Sequence, residues 1–270
     1  MFDTPVEGAA IRAFSPGEVK DMARRFRDAE PFPHIVIDDV LMPPAATLAG
    51  AFPDRDWPHW GRFQDEYQKE KRHCPDLEVI PQPLLSLLVE CQQPRFLNLL
   101  EEISGIRQLT TDPYLNGGGL HCSGPGGVLR PHTDFHFHDD LNLYRMLNVL
   151  IYLNEGWSAQ DGGNLELYRK GAASPEVTVT PVYGRMVIFR TDDKSVHGFA
   201  NPVASGKWRK SLALYYYRTR DVAAYAGDSS THWQTHGPRL TGPRRLAYDG
   251  LMLASRGLSR LARIINPDLN

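Results

Sequence analysis

The apolar positions of this chain change their rhythm about one third of the way along. In the first hundred residues they recur at helical spacing; beyond them they gather into short β-branched and aromatic runs. Ser15-Pro16-Gly17-Glu18 has the spacing of a capping box, with Ser15 as N-cap, Pro16 at the first helical position and Glu18 reaching back to the cap. A helix to about Glu30 is therefore predicted. PHIVIDDVL, from Pro33 to Leu41, reads as a strand, and the segment after Pro43 and Pro44 as a second helix. Residues 54–80 contain Trp57, Trp60 and many charges without a clear period, and read as an inserted loop. Pro83 to Gly105 is helical with a break at Pro94, its apolar faces supplied by Leu84, Leu85, Leu87, Leu88, Phe96, Leu97, Leu99 and Leu100.

From Ile106 onward the runs RMLNVLIYL, GNLELY, EVTVTPV, RMVIF and SLALYYY are separated by glycine and aspartate. Strands at this spacing predict an α+β chain in which a β-sandwich or barrel packs against the earlier helices. After about Arg220 the pattern is irregular until Arg244 to Ile265. There Leu251, Leu258, Leu261 and Ile265 fall on one side of a helical wheel, and Arg256, Arg260 and Arg263 on the other. That tail is either a packed helix with a solvated arginine face or a helix making peripheral membrane contact or meeting an acidic partner. The division expected is one domain over 1–220, helical to about 105 and β-rich from about 106, followed by a C-terminal extension over 221–270.

Composition narrows the class. A length of 270 residues fits one large domain with appendages, and 41% hydrophobic with 23% charged residues is the balance of a soluble globular protein. A net charge of -2 gives no global case for nucleic acid. Cys74, Cys91 and Cys122 are an odd set without CxxC spacing, and MFDTPVEGAA lacks the basic and apolar regions of a signal peptide, so a cytoplasmic location is expected. No apolar run reaches the eighteen residues that a membrane span requires. Oligomeric state is not legible.

The stretch Leu129 to Asp140, LRPHTDFHFHDD, is the densest cluster of metal-ligand residue types. An HxD triplet alone discriminates little, because the stretch offers two, His132-Thr133-Asp134 and His138-Asp139-Asp140. On a strand, residues two apart share a face, so either pair can present an imidazole and a carboxylate to one ion if a third ligand arrives from another strand. Two imidazoles and one carboxylate form the facial triad that suits non-heme Fe(II). His197 is the candidate third donor: it follows GRMVIFRTDDKSV, an apolar run that enters a polar turn. A hydrogen-bonded loop histidine is the alternative. Downstream, GKWRKSLALYYYR places Lys207 and Arg209 on one face of the following strand. An arginine turned inward there requires a buried anion, whereas one turned outward is only a surface residue at a strand start.

Taken together, PHTDF, RMLNVLIYLNEGWSAQDGGNLELY, GRMVIFRTDDKSVHGF and RKSLALYYY resemble, in order, the core strands of the prolyl-hydroxylase-like branch of the Fe(II)/2-oxoglutarate-dependent oxygenases. The resemblance covers roughly Gly117 to Arg218. It implies a double-stranded β-helix (jelly roll, cupin-like) core, with His132, Asp134 and His197 as iron ligands. Arg209 would hold the distal carboxylate of 2-oxoglutarate, and Tyr152 would hydrogen-bond the same group or serve core packing. Collagen-type members use a lysine shortly after the distal histidine, which makes Lys207 a rival to Arg209. Upstream of HxD, where many members carry a tyrosine near the cofactor, GGGLHCSGPGG leaves His121 or Cys122 to take that place. His136, His138, Asp139 and Asp140 are read as a feature of the loop at the pocket mouth or simply as solvated polar residues, and residues 54–80 with Phe135 to Asn142 as pocket walls.

The implied activity is hydroxylation of an aliphatic carbon coupled to decarboxylation of 2-oxoglutarate to succinate and CO2, with ascorbate as an accessory reductant. The implied substrate is a prolyl residue of a protein or peptide. The alternatives are a hydroxylase of a small molecule or sugar, and a non-catalytic cupin-like module that uses the same residues to bind a metal or ligand.

Overall fold

The computed structural model describes residues 8–219 and 231–233. The described residues belong to one compact unit; the helix expected at 244–265 lies outside them. Among those residues no helix is long and apolar enough to cross a membrane.

Helix α1 (Pro16–Asp28) starts where the cap spacing puts it. Ser15 Oγ accepts the Glu18 N–H at 3.3 Å, and the Ser15 N–H donates to the Glu18 carboxylate at 2.8 Å. Val19, Met22 and Phe26 form its buried stripe. After β1 (His34–Ile37), the expected second helix is a single turn, α2 (Ala45–Leu48), with no side-chain cap to extend it.

Residues 54–80 depart from the expected loop. They contain a hairpin, β2 (Gly61–Phe63) with β3 (Gln68–Cys74), and β3 pairs with the central strand of the sheet. The sequence hides this strand because QKEKRH carries charged or polar side chains on both faces, so no apolar alternation marks it. Helices α3 (Gln82–Glu90) and α4 (Pro94–Ser104) follow with the break at Pro94. Helix α4 stops at Gly105, whose φ of 73° is the left-handed cap that glycine adopts without a Cβ penalty.

The remaining strands are β4 (Thr110–Thr111), β5 (Gly119–Thr133), β6 (Phe137–His138), β7 (Leu143–Tyr152), β8 (Leu165–Tyr168), β9 (Val177–Val179), β10 (Met186–Arg190), β11 (Val196–Phe199), β12 (Arg209–Arg218) and β13 (His232–Trp233). Their hydrogen-bonded order is β1-β10-β7-β12-β5-β11-β8-β9, antiparallel throughout. Strand β5 belongs to both halves of this order. Its first residues, Gly119 to Ser123, pair with β12, whereas Leu129 and His132 pair with β11. Gly126, at φ 76°, lies in the GPGG segment between the two ladders.

Period-2 alternation then sorts the side chains. Leu147, Val149 and Ile151 of β7, Ile188 of β10, and Leu212, Leu214 and Tyr216 of β12 share a core with the helical residues Phe26, Leu84, Leu88 and Leu100. On the opposite face Tyr152, Val187 and Phe189 meet Leu165, Leu167 and Val179. Both faces are thus covered, at roughly 1.5–3 kcal/mol for each large side chain fully buried. This is an α+β fold with a double-stranded β-helix core. The polar face of β12, namely Arg209, Ser211 and Tyr215, is left looking into a cavity between the two halves.

Candidate metal centre

The register of β5 against β11 puts His132 directly opposite His197, with ring centroids 4.5 Å apart. Asp134 follows two residues after His132, just past the strand end. His132 Nε2 lies 3.4 Å from Asp134 Oδ1, and His197 Nε2 lies 3.4 Å from Asp134 Oδ2. One donor atom from each residue falls within 4.8 Å of the other two.

Backbone carbonyls fix the tautomers. His132 Nδ1 bonds the Arg130 carbonyl at 2.8 Å, and His197 Nδ1 bonds the Ser195 carbonyl at 3.0 Å. A carbonyl only accepts, so each ring carries a proton on Nδ1, and a neutral ring so held turns its Nε2 lone pair toward Asp134. Burial pushes the His197 pKa down to about 4, against the opposing pull of Asp134, which leaves it neutral near pH 7. Two lone pairs and a carboxylate facing one another repel unless a cation lies among them. The donor set therefore fits a divalent ion, and its two-imidazole, one-carboxylate composition fits Fe(II).

Asp134 is held from behind. Its Oδ2 accepts from Arg145 Nη2 at 2.9 Å and from Asn148 Nδ2 at 2.6 Å. Arg145 Nε and Thr191 Oγ1 in turn donate to Asn148 Oδ1, at 2.8 and 3.2 Å. Burial alone would raise the Asp134 pKa; the Arg145 guanidinium beside it leads the influences that outweigh burial and hold the carboxyl well below its usual range. The Arg145 guanidinium lies 3.3 Å from the Tyr215 ring centroid.

Arg209 lies in the same cavity, 6% exposed. Its Nε donates to the Gly163 carbonyl at 2.6 Å, its Nη2 donates to the Tyr152 hydroxyl at 3.2 Å, and Phe199 packs 4.5 Å from its carbon. Among the described residues no carboxylate stands within ion-pair distance of it. A buried guanidinium with only neutral partners is costly, and a ligand carboxylate relieves that cost in bidentate geometry. Arg209 and Tyr152 therefore fit one end of 2-oxoglutarate.

The other expected site residues are placed as follows. His121 lines the cavity, with Nε2 bonded to the Gly117 carbonyl at 2.9 Å; burial, with Lys71 beside it, lowers its pKa well below the ordinary value. Cys122 belongs to the helix-side core. Lys207 precedes β12, outside the cavity, and pairs with Asp161 at 3.2 Å. The solvated-loop reading of the later cluster needs correction. His136 and His138 are buried, 0% and 2% exposed, and only Asp139 and Asp140 are exposed. The buried partner Asp112, 3.2 Å from His138, offsets the desolvation of that ring.

Sequence reasoning missed Arg145, Asn148 and Lys71. The first two are polar residues in an otherwise apolar run, which was the available signal; Lys71, which lines the cavity, sits in the hairpin that had read as loop.

Comparison with known proteins agrees with this geometry. The family model of the 2OG-Fe(II) oxygenase superfamily matches residues 118–217. The chain is 30% identical over 109 residues to prolyl 3,4-dihydroxylase OGFOD1 of Ostreococcus tauri, covering 37% of this chain and 21% of that protein. It is 31% identical over 84 residues to prolyl 3-hydroxylase OGFOD1 of Xenopus laevis, covering 30% of this chain and 16% of that one. The matches thus span only about a fifth of the length of these relatives. In fold, the chain is similar to a Trichoplax adhaerens prolyl hydroxylase solved with a hypoxia-inducible-factor peptide fragment (TM-score 0.53, 17% identity, 76% of this chain and 94% of that one). It is also similar to the non-heme α-ketoglutarate-dependent epimerase SnoN from nogalamycin biosynthesis (TM-score 0.54, 18% identity, 85% and 98%). Residues 118–217, which hold His132, Asp134, His197 and Arg209, are thus similar in sequence to the 2OG-Fe(II) oxygenase superfamily, and the chain shares the fold of solved members of that kind.

Proposed function

We propose that the chain is an Fe(II)- and 2-oxoglutarate-dependent dioxygenase that hydroxylates a prolyl residue of a protein or peptide. The observation that carries this reading is the convergence of three electron-pair donors beside a buried guanidinium that has no acidic partner among the described residues. The sequence likeness to two OGFOD1 prolyl hydroxylases supports the choice of substrate.

In this reading His132, Asp134 and His197 hold Fe(II), which supplies the dioxygen activation that couples decarboxylation of 2-oxoglutarate to carbon hydroxylation. The chain does the rest. Arg130 and Ser195 carbonyls keep the two imidazoles in their ligating tautomer, and Arg145 with Asn148 keeps Asp134 ionised and oriented. Arg209 and Tyr152 bind the distal carboxylate of the co-substrate. Phe189, whose ring lies 4.7 Å from that of His197, and Leu165 contribute apolar walls that limit water in the cavity.

The test is incubation with ferrous iron, 2-oxoglutarate and proline-containing peptides, followed by quantitation of succinate and mass analysis of the peptides. Succinate formed with a matching gain of one oxygen on proline, both absent in His132→Ala, is the expected result. Absence of succinate from protein shown to hold iron would overturn the enzyme reading and favour a binding module. Succinate with oxygen gained only by a small molecule would overturn the prolyl assignment alone.

A further inference from the structure

Arg209 is not the only cation in the cavity. Lys71 reaches it from β3, where it pairs across the ladder with Ser123 of β5. The register of β3 against β5 slips between Lys69 and Lys71, and the intervening Glu70 has a φ of 51°, a left-handed conformation uncommon for a residue with a side chain. A bulge of this kind re-aims the side chain that follows it, and bulges gather beside functional sites. Here the side chain re-aimed is a lysine, turned inward.

The ammonium finds little there. The acceptor within reach is the neutral Gln68 Oε1 at 3.4 Å, and the Phe63 ring centroid lies 5.4 Å away. No carboxylate among the described residues is within ion-pair distance of it. Arg145 is matched by Asp134 at 2.9 Å. Arg209 and Lys71 therefore remain as two positive charges facing one cavity, each with neutral hydrogen-bond partners only. A partly buried ammonium with a single weak acceptor is unfavourable unless a ligand anion completes its shell.

We propose that Lys71 is a second cationic anchor for the co-substrate, donating a charged hydrogen bond to a carboxylate oxygen of 2-oxoglutarate in the cavity that Arg209 also serves. This rests on the oxygenase reading above. Two cations in one cavity match the two carboxylates of a 2-oxo dicarboxylate better than they match a neutral prolyl side chain. Burial, with Arg209 and Arg145 nearby, outweighs the more distant pull of Asp134 and Asp65 and lowers the Lys71 pKa to about 8, which still leaves the ammonium predominant at pH 7.

The experiment is titration calorimetry of 2-oxoglutarate into Ni(II)-loaded protein, where no turnover intervenes, for wild type, Lys71→Met, Lys71→Gln, Lys71→Arg and Arg209→Leu. Metal affinity and circular dichroism are measured on the same preparations. Loss of a hydrogen bond between charged groups corresponds to about 10- to 100-fold in affinity. Lys71→Met and Lys71→Gln are expected to weaken 2-oxoglutarate by that factor without weakening the metal, and Lys71→Arg, which keeps the charge, to lose less. If Lys71→Met fails to fold, the difference between the Gln and Arg variants decides. Unchanged 2-oxoglutarate affinity in folded Lys71 variants, with Arg209→Leu still weakened, would overturn the assignment of Lys71 alone. Absence of 2-oxoglutarate binding to metal-loaded wild type would overturn the oxygenase reading and this inference with it.

Discussion

Asp134 shows what single residues contribute at this centre. A carboxylate taken out of water tends to protonate, and a protonated Asp134 is a poor metal ligand; Arg145 and Asn148 prevent that by donating to the same oxygen. Asn148→Ala removes the neutral donor without changing charge, and is expected to weaken metal binding about 10- to 100-fold in a direct titration. Unchanged affinity would mean that Arg145 alone orients the carboxylate. The histidines give a pH signature in metal-free protein. With the folded pKa of His197 at about 4 and its unfolded value near 6.5, the unfolded chain takes up a proton that the folded one refuses between those limits. Stability is therefore expected to fall as pH drops from about 6.5 towards 4. Denaturant unfolding across that range checks this, and His197→Asn should flatten the slope. Much of this scale was legible in advance: the HxD spacing and the need for a distal histidine are rules of one strand and one ion. The roles of Arg145, Asn148 and Lys71 were not, because each depends on which side chain lies across a ladder.

At the scale of elements, the centre depends on two strands keeping their register. Gly198 sits at the irregularity between His197 and Phe199, where an added Cβ would lie 2.6 Å from the Leu129 carbonyl oxygen. That atom is backbone and cannot swing aside, so Gly198→Ala must push β11 away from β5 and separate His197 from His132. Loss of metal affinity exceeding the loss of stability is expected, read by metal titration beside urea unfolding. Equal affinity would show that the ladder absorbs the methyl group. The N-terminal helix is a simpler case: Ser15→Ala is expected to cost about 1 kcal/mol in urea unfolding and to leave metal affinity untouched. Elements with a strong local signature were readable, including the Ser15 cap, the break at Pro94, and the runs that became β7, β8, β9, β10 and β12. The β2–β3 hairpin was not. Its inward positions are lysine and histidine, and a strand that lines a polar cavity lacks the hydrophobic alternation by which strands are recognised.

For the whole molecule, helices before sheet predicted the α+β class, and the ordered strand motifs implied the jelly roll. What no local pattern carries is the dual membership of β5. A 15-residue strand whose two ends serve different halves brings His132, near one end, to His197, while its other end carries His121 into the cavity. Because the donors come from remote parts of the chain, metal and co-substrate bind only the folded form. Each is expected to raise the unfolding temperature, by about 2.7 kcal/mol of stabilisation at a free concentration 100 times its dissociation constant. Thermal unfolding with and without each ligand measures this, and an equal shift in His132→Ala would assign the metal to some other group.

The proposed function requires three donors to bind one Fe(II) next to a guanidinium that binds the far end of a 2-oxo dicarboxylate. Anaerobic titration of 2-oxoglutarate into the Fe(II)-loaded protein, followed by the charge-transfer absorption of the chelate, tests both halves at once. A band that saturates at one equivalent, is abolished by His132→Ala or His197→Ala, and needs at least tenfold more 2-oxoglutarate in Arg209→Leu is the predicted result. A band that survives loss of either histidine, or a titration that Arg209→Leu leaves unmoved, would contradict it.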